Sequence, residues 1–218
     1  MRRAILETAR SHLGEQGAAG LSLRAVARDV GMVSSALYRY FDSRDALLTA
    51  LIIEAYDSLG DAVETAERRC DRDDLLGRWL AIAGATRDWA HADPHQYALV
   101  YGSPVPGYAA PTDTVGPATR VTRRLAALLV DIDAAGLAPT EEPMPAPVLE
   151  AVAPARAFTG EQVSPDLMVR GLMAWTYLFG AVSFELFGQR HNAVADARLD
   201  DFFAEEVRRA ARLLIGLG

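Results

Sequence analysis

SLRAVARDVGMVSSALYRYFDSRD, residues 22–45, is the stretch on which the reading of this 218-residue chain turns. It holds two short helical patterns separated by a tight break at Gly31. The first runs from Leu23 to Val30, with Ser22 as N-cap and Leu23, Val26, Ala27 and Val30 on one apolar stripe. The second covers roughly Ser35 to Phe41, where Leu37 and Phe41 stand four apart and face inward. Gly31 suits the positive-φ turn that ends one helix and launches the next at a steep angle. The pattern is a helix-turn-helix. Ser34, Ser35 and Ala36 are small enough at the start of the second helix to let the backbone approach a nucleic acid. Tyr38, Arg39 and Tyr40 supply hydrogen-bonding tips on the outward side, as a major-groove reader requires.

Composition agrees with a helical protein. Half of the residues are apolar, so the chain is globular, and its length suffices for one or two domains with a sizeable core. Ala, Leu and Arg abound, while strand-like alternation is nearly absent, which predicts an all-α fold. The net charge of −7 is unevenly spread. Residues 1–45 carry seven Arg and five acids, and residues 46–218 carry fifteen Arg and twenty-four acids. The amino-terminal segment, at +2, is the part suited to a phosphate backbone, and the remainder, at −9, limits unspecific binding. There is no Lys. The single Cys70 allows no intrachain disulfide and fits a cytoplasmic setting, with a bystander role more natural than a redox switch. The N-terminus lacks an apolar signal core, and the uncharged run 171–184 is short of the ~20 residues a membrane span needs. No membrane partner is expected.

The run AVARDVGMVSSALYRYFDSRDALL resembles the DNA-binding domain of TetR/AcrR-type transcriptional regulators. Gly31, Leu37, Tyr38, Tyr40, Phe41, Ser43, Arg44, Asp45 and Leu47 fall at that family's pattern positions. Arg44 stands where Lys is usual, Asp45 where Glu is usual, and Val33 where a capping Ser or Thr often sits, so Ser34 can cap instead. Further on, AWTYLFGAVSFELFG is similar to a subgroup with a Trp-His-Gly signature. Trp175 and Gly180 match, and Phe179 replaces the His.

About nine helices are expected, with residues 1–45 as the reader and 46–218 as a second domain. Arg2 to Gln16 forms an amphipathic helix with His12 as a packed core edge, and Arg2 and Arg3 reach phosphate if the tail is ordered. Asp42 or Ser43 caps a long helix ending near Arg69, on the order of 40 Å at ~1.5 Å per residue. Asp73 or Asp74 caps the next, which Pro94 stops, and a short helix runs from Pro94 to Tyr101. Residues 102–117 form an irregular loop, a helix follows from Pro117 to about Ala135, and 136–160 is a Pro-rich stretch without periodicity, expected as a mobile loop. Ser164, Pro165, Asp166 and Gly188 punctuate a helix over 164–188 that is apolar on nearly every side. One core face cannot satisfy such a helix. With the last helix, 198–214, it is the expected homodimer interface, a four-helix bundle across a twofold axis.

The resemblance implies that Tyr38 and Arg44 hydrogen-bond phosphates without reading sequence. It places Arg24 near the backbone; Ser34, Ser35, Arg39 and Tyr40 are the base-edge candidates, with Tyr40 in the core and Arg39 merely solvated as the alternative. A mostly apolar effector pocket is expected among Trp79, Trp89, Tyr97, Tyr101, Tyr108, Trp175, Tyr177 and Phe179, with plain core packing as the alternative for each. No catalytic set, metal site or cofactor is expected. His91 and His95 are four apart, but Pro94 breaks the helix that would aim both at one ion. The combined expectation is a dimeric, operator-binding transcriptional regulator, a repressor released by a small apolar effector. The rival is a helical small-molecule-binding protein without DNA function.

Overall fold

The computed structural model describes residues 1–141 and 143–218, and every regular element among them is helical. The helices are α1 (Arg2–Gln16), α2 (Leu23–Asp29), α3 (Ser34–Leu37), α4 (Arg44–Glu67), α5 (Leu75–Ala92) and α6 (Pro94–Tyr101). They continue as α7 (Val115–Ala118), α8 (Arg120–Ala134), α9 (Ala146–Phe158), α10 (Pro165–Leu186) and α11 (Leu199–Ile215). Short 3-10 turns occupy Ala18–Gly20, Thr112–Thr114 and Asp196–Arg198. The chain divides into two compact units, Met1–Gly60 with Ala90–Arg120 and Asp61–Trp89 with Val121–Gly218. Packing thus groups more of the chain with the reader than the stretch 1–45.

In the first unit, α1 buries Ile5, Leu6, Ala9, His12 and Leu13. Val26, Ala27, Leu37, Phe41, Leu47, Leu48 and Leu51 join them in one core, flanked by Leu99, Val100 and Tyr108. His12 is buried and its Nε2 lies 2.8 Å from Asp29 Oδ2, tying α1 to α2. That hydrogen bond, then one from Arg28, holds the Asp29 carboxyl below its usual range. Gly14 lets α6 come close, since a Cβ there would stand 3.2 Å from the His95 ring. Of the two expected caps for α4, Ser43 does the work: its Oγ accepts the Ala46 N–H at 3.0 Å. Asp93 caps α6, its carboxylate accepting the Gln96 N–H at 3.0 Å, with Pro94 in the first turn. The 24-residue α4 is about 36 Å long at ~1.5 Å per residue.

The second unit is stitched by buried ion pairs. Arg78, fully buried, donates to Glu67 at 2.8 Å and to Asp131 at 2.6 Å. Burial pushes the Glu67 carboxyl up, and hydrogen bonds from Arg78 and Arg72 more than reverse it, leaving it below the usual range. Arg87 grips Glu185 at 2.6 Å and Asp200 at 2.7 Å, joining α5, α10 and α11. The Trp79 indole N–H donates to the Val207 carbonyl at 2.8 Å, locking α5 to α11. Asp74, not Asp73, caps α5 by accepting the Gly77 N–H at 2.8 Å.

Three expectations change. The 136–160 stretch is not a loop throughout, because α9 occupies Ala146–Phe158; Glu142 lies outside the described residues. Pro145 at the N-cap and Pro147 in the first turn start this helix, where a missing N–H costs nothing. Val152 is its one buried residue, so no apolar stripe marks it in the sequence. The 102–117 loop ends in a 3-10 turn and α7, which with α9 raises the number of α-helices among the described residues to eleven. Finally, α10 is by length and composition apolar enough to cross a membrane, although its uncharged run is short. One side of it packs inward, burying Leu167, Met168, Ala174, Leu178 and Val182, and its Glu185 meets Arg87.

Candidate nucleic-acid interface

The turn before α3 is closed by backbone bonds alone. Gly31 sits at φ 74°, its N–H donating to Arg28 O at 3.0 Å and the Met32 N–H to Ala27 O at 2.8 Å. This paired closure satisfies the last carbonyls of α2 and redirects the chain. Val33, not Ser34, stands at the N-cap of α3, and no side chain caps it. The α-helix stops at Leu37, shorter than the Ser35–Phe41 expected, and tighter turns continue it. The Arg39 N–H donates to Ala36 O at 3.3 Å and the Tyr40 N–H to Leu37 O at 2.9 Å. The tightening still leaves Leu37 and Phe41 together in the core.

With those two anchors buried, the outward positions follow. Tyr38 is 49% and Tyr40 43% exposed, and Ser35 and Arg39 are exposed beside them. Ser34 and Ala36 are half-buried. Tyr40 is therefore a surface residue and not part of the core. Arg24 is exposed at the start of α2, and neither Arg24 nor Arg39 has an ion-pair partner among the described residues. Arg2 lies 5.0 Å from the centre of the Phe41 ring, on the flank of the reader. Other cations are neutralised locally: Arg3 by Glu7, Arg10 by Glu54 and Arg28 by Asp29.

Arg44 is placed differently from its expected phosphate role. Its Nε donates to Leu21 O at 3.1 Å and its Nη2 to Ala18 O at 2.8 Å and Ala19 O at 3.4 Å. Nη1 lies 3.5 Å from the Asp45 carboxylate. Nothing in the local sequence signals this arrangement, since the acceptors lie more than twenty residues upstream.

The eight aromatic residues expected around an effector fall into two groups, one in each unit. In the first unit Tyr97 is fully buried, 5.1 Å from the Tyr101 ring, and Tyr56 meets Tyr101 edge-on at 6.0 Å. Burial raises the hydroxyl pKa of Tyr56 and of Tyr101. The Tyr108 and Thr49 hydroxyls share a 2.9 Å hydrogen bond. Tyr56 of α4, four residues after Ile52 and three before Leu59, also belongs to this cluster. In the second unit Trp79 and Trp89 are core, while Trp175 and Tyr177 are exposed on α10 and Trp175 meets Phe179 edge-on. The Tyr177 hydroxyl donates to Glu206 at 2.9 Å, and burial together with that carboxylate pushes its pKa up to about 12.

Two concavities stand out. A groove of about 510 Å³ between α10 and α11 is lined by Tyr177, Phe202, Glu206, Arg209, Leu213 and their neighbours. A second, of about 410 Å³, lies in the first unit against Leu13, Gln16, His95, Leu99 and Val105. Tyr177 alone of the eight aromatics lines either one. Along α10 and α11 Met173, Trp175, Phe184, Phe187, Phe202 and Leu213 are solvent-exposed, and Met173, Tyr177 and Phe184 share one stripe of α10 by helical spacing. No group of three or more metal-type ligands converges among the described residues.

Residues 5–51 match the family model described as "Bacterial regulatory proteins, tetR family", and residues 79–210 match "Tetracyclin repressor-like, C-terminal domain". The C-terminal match lends no support to the Trp-His-Gly subgroup. The HTH-type transcriptional regulator Rv1816 of Mycobacterium tuberculosis is 44% identical over 191 residues, 85% of this chain and 80% of that protein. Mb1846 of Mycobacterium bovis, also an HTH-type transcriptional regulator, matches to the same extent. Among solved structures, the regulatory protein SCO4313 superimposes with a TM-score of 0.76 at 34% identity, covering 96% of this chain and 94% of that one. PfmR of Thermus thermophilus, a TetR family regulator, shares the fold at a TM-score of 0.62 and 17% identity over 98% of each chain.

Proposed function

This chain belongs to the TetR family of bacterial regulatory proteins and is a DNA-binding transcriptional regulator, and we propose that it acts as a homodimeric repressor released from its operator by a small, mostly apolar effector. The observation that carries the reading is the outward set Ser35, Tyr38, Arg39 and Tyr40, held over buried Leu37 and Phe41 and, among the described residues, free of acidic partners. Arg39 is the natural base-edge contact, since a guanidinium can take a guanine bidentately. Tyr38 and Arg24 suit phosphates, which fix register without reading sequence.

Dimerisation is supported by the exposed aromatic surface of α10 and α11. A contiguous apolar face of that kind marks an interface in a soluble protein, and a twofold pairing would use it twice. Tyr177 fits that face better than an internal pocket. Effector binding is supported by the family membership and by the mostly apolar groove of the first unit against Leu13, Leu99 and Val105. By the same family membership we place the protein in the cytoplasm, with its operator.

A mobility-shift titration on the region upstream of its own gene, followed by genomic selection with purified protein, tests the reading. Recovery of near-palindromic sites, with half-sites about one helical turn apart, is the expected result. A folded protein that selects no sequence would leave the small-molecule-binding alternative.

A further inference from the structure

Arg44 opens the helix that follows the reader, and its guanidinium is already engaged. Three carbonyls receive it: Leu21 at 3.1 Å from Nε, Ala18 at 2.8 Å and Ala19 at 3.4 Å from Nη2. These carbonyls end the 3-10 turn Ala18–Gly20 and lead into Ser22, the N-cap of α2. Ala18 O already accepts the Leu21 N–H at 3.3 Å, and the guanidinium adds charge-assisted bonds to it and to the carbonyls of Ala19 and Leu21. The remaining nitrogen, Nη1, lies 3.5 Å from the Asp45 carboxylate, and the side chain is only 32% exposed. All three guanidinium nitrogens are thus engaged within the protein.

We infer that Arg44 is a positioning residue that clamps the first residue of α4 to the turn preceding α2, so that the two helices of the reader are bracketed from both ends, and that it is not a phosphate contact. The inference deepens the DNA-binding reading above and rests on it. Chemistry also explains the residue type. A planar fork with five N–H donors spans carbonyls from three residues, whereas an ammonium offers donors from a single point. Lys in this position would keep the charge and lose the clamp.

Binding of a mixed-sequence DNA duplex is measured by fluorescence anisotropy over a series of salt concentrations, at a temperature where circular dichroism shows every variant fully folded. Each phosphate neutralised adds about 0.9 to the slope of log K against log salt. For a clamp, Arg44→Lys and Arg44→Ala both lose affinity, roughly tenfold, while both keep the wild-type slope. Amide exchange across residues 17–23 accelerates in both. For a phosphate contact, Arg44→Ala flattens the slope by about 0.9, Arg44→Lys retains it, and exchange is unchanged; that pattern overturns the inference, as does unaltered affinity in both variants. A wild-type protein that fails to bind duplex at low salt overturns the regulator reading instead. The exchange comparison needs no DNA and then decides the clamp alone.

Discussion

The reader surface and the interior of the second unit use arginine in opposite ways. Around the reader, Arg24 and Arg39 stand in solvent with no acid attached among the described residues. In the second unit Arg78, Arg87 and Arg190 are turned inward onto Glu67, Glu185 and Glu206. A guanidinium left in solvent can meet a polyanion without first giving up a carboxylate. One buried on a carboxylate joins helices, and removing either partner strands the other in a medium that solvates it poorly. The net charge difference between amino-terminal segment and remainder is the sequence-level trace of this division.

The contrast can be broken most forcefully at Arg78. Arg78→Ala leaves the buried Glu67 carboxylate to the half-exposed Arg72 alone and should cost ~3 kcal/mol in urea unfolding, whereas exchanging both Arg78 and Glu67 for apolar residues should be far milder. Next in size is the exposed surface of α10. Phe184 is 57% exposed. Phe184→Glu should weaken self-association by ~2 kcal/mol or more, read by sedimentation over a concentration series, if the side chain is a central anchor. Third comes the solvent-facing arginine. Arg39→Ala should lose ~1–3 kcal/mol of operator discrimination and leave unfolding within ~0.5 kcal/mol of wild type. A large stability loss there would erase the distinction between the two units.

The smallest effect concerns pH. Asp29 is held below its ordinary pKa of 3.8 by His12 and Arg28, so its contribution is present above that value. It is lost as pH falls from about 4 toward the lower folded value. Asp29→Asn should remove this acid limb from the melting curve of the first unit and change little of the second unit's acid response, which Glu67 carries for the same reason of sign.

Much of this architecture could be read in advance, and the reasons are local. Gly31, Pro94, Pro165 and the buried pair Leu37 and Phe41 act within a turn or two of themselves, so spacing suffices to find them. What escaped acts at a distance. The carbonyls that Arg44 satisfies, the hydroxyl that Tyr108 meets and the α5–α11 bond of Trp79 join residues far apart in the chain. Aromatic spacing likewise could not tell Trp79, in the core, from Trp175, at the surface; both recur at helical intervals. Helix α9 was hidden for a third reason, since Pro at a helix start and Pro in a loop look alike without an apolar stripe to separate them.

The turn at Gly31 has one more consequence. A Cβ built there meets no atom within 4 Å, yet the backbone sits at φ 74°. Size is therefore no obstacle to replacement, and handedness is. Substitutes should rank by their ease in the left-handed region, Asn and Asp ahead of Ala and Ala ahead of Val, and bulk should explain none of the order.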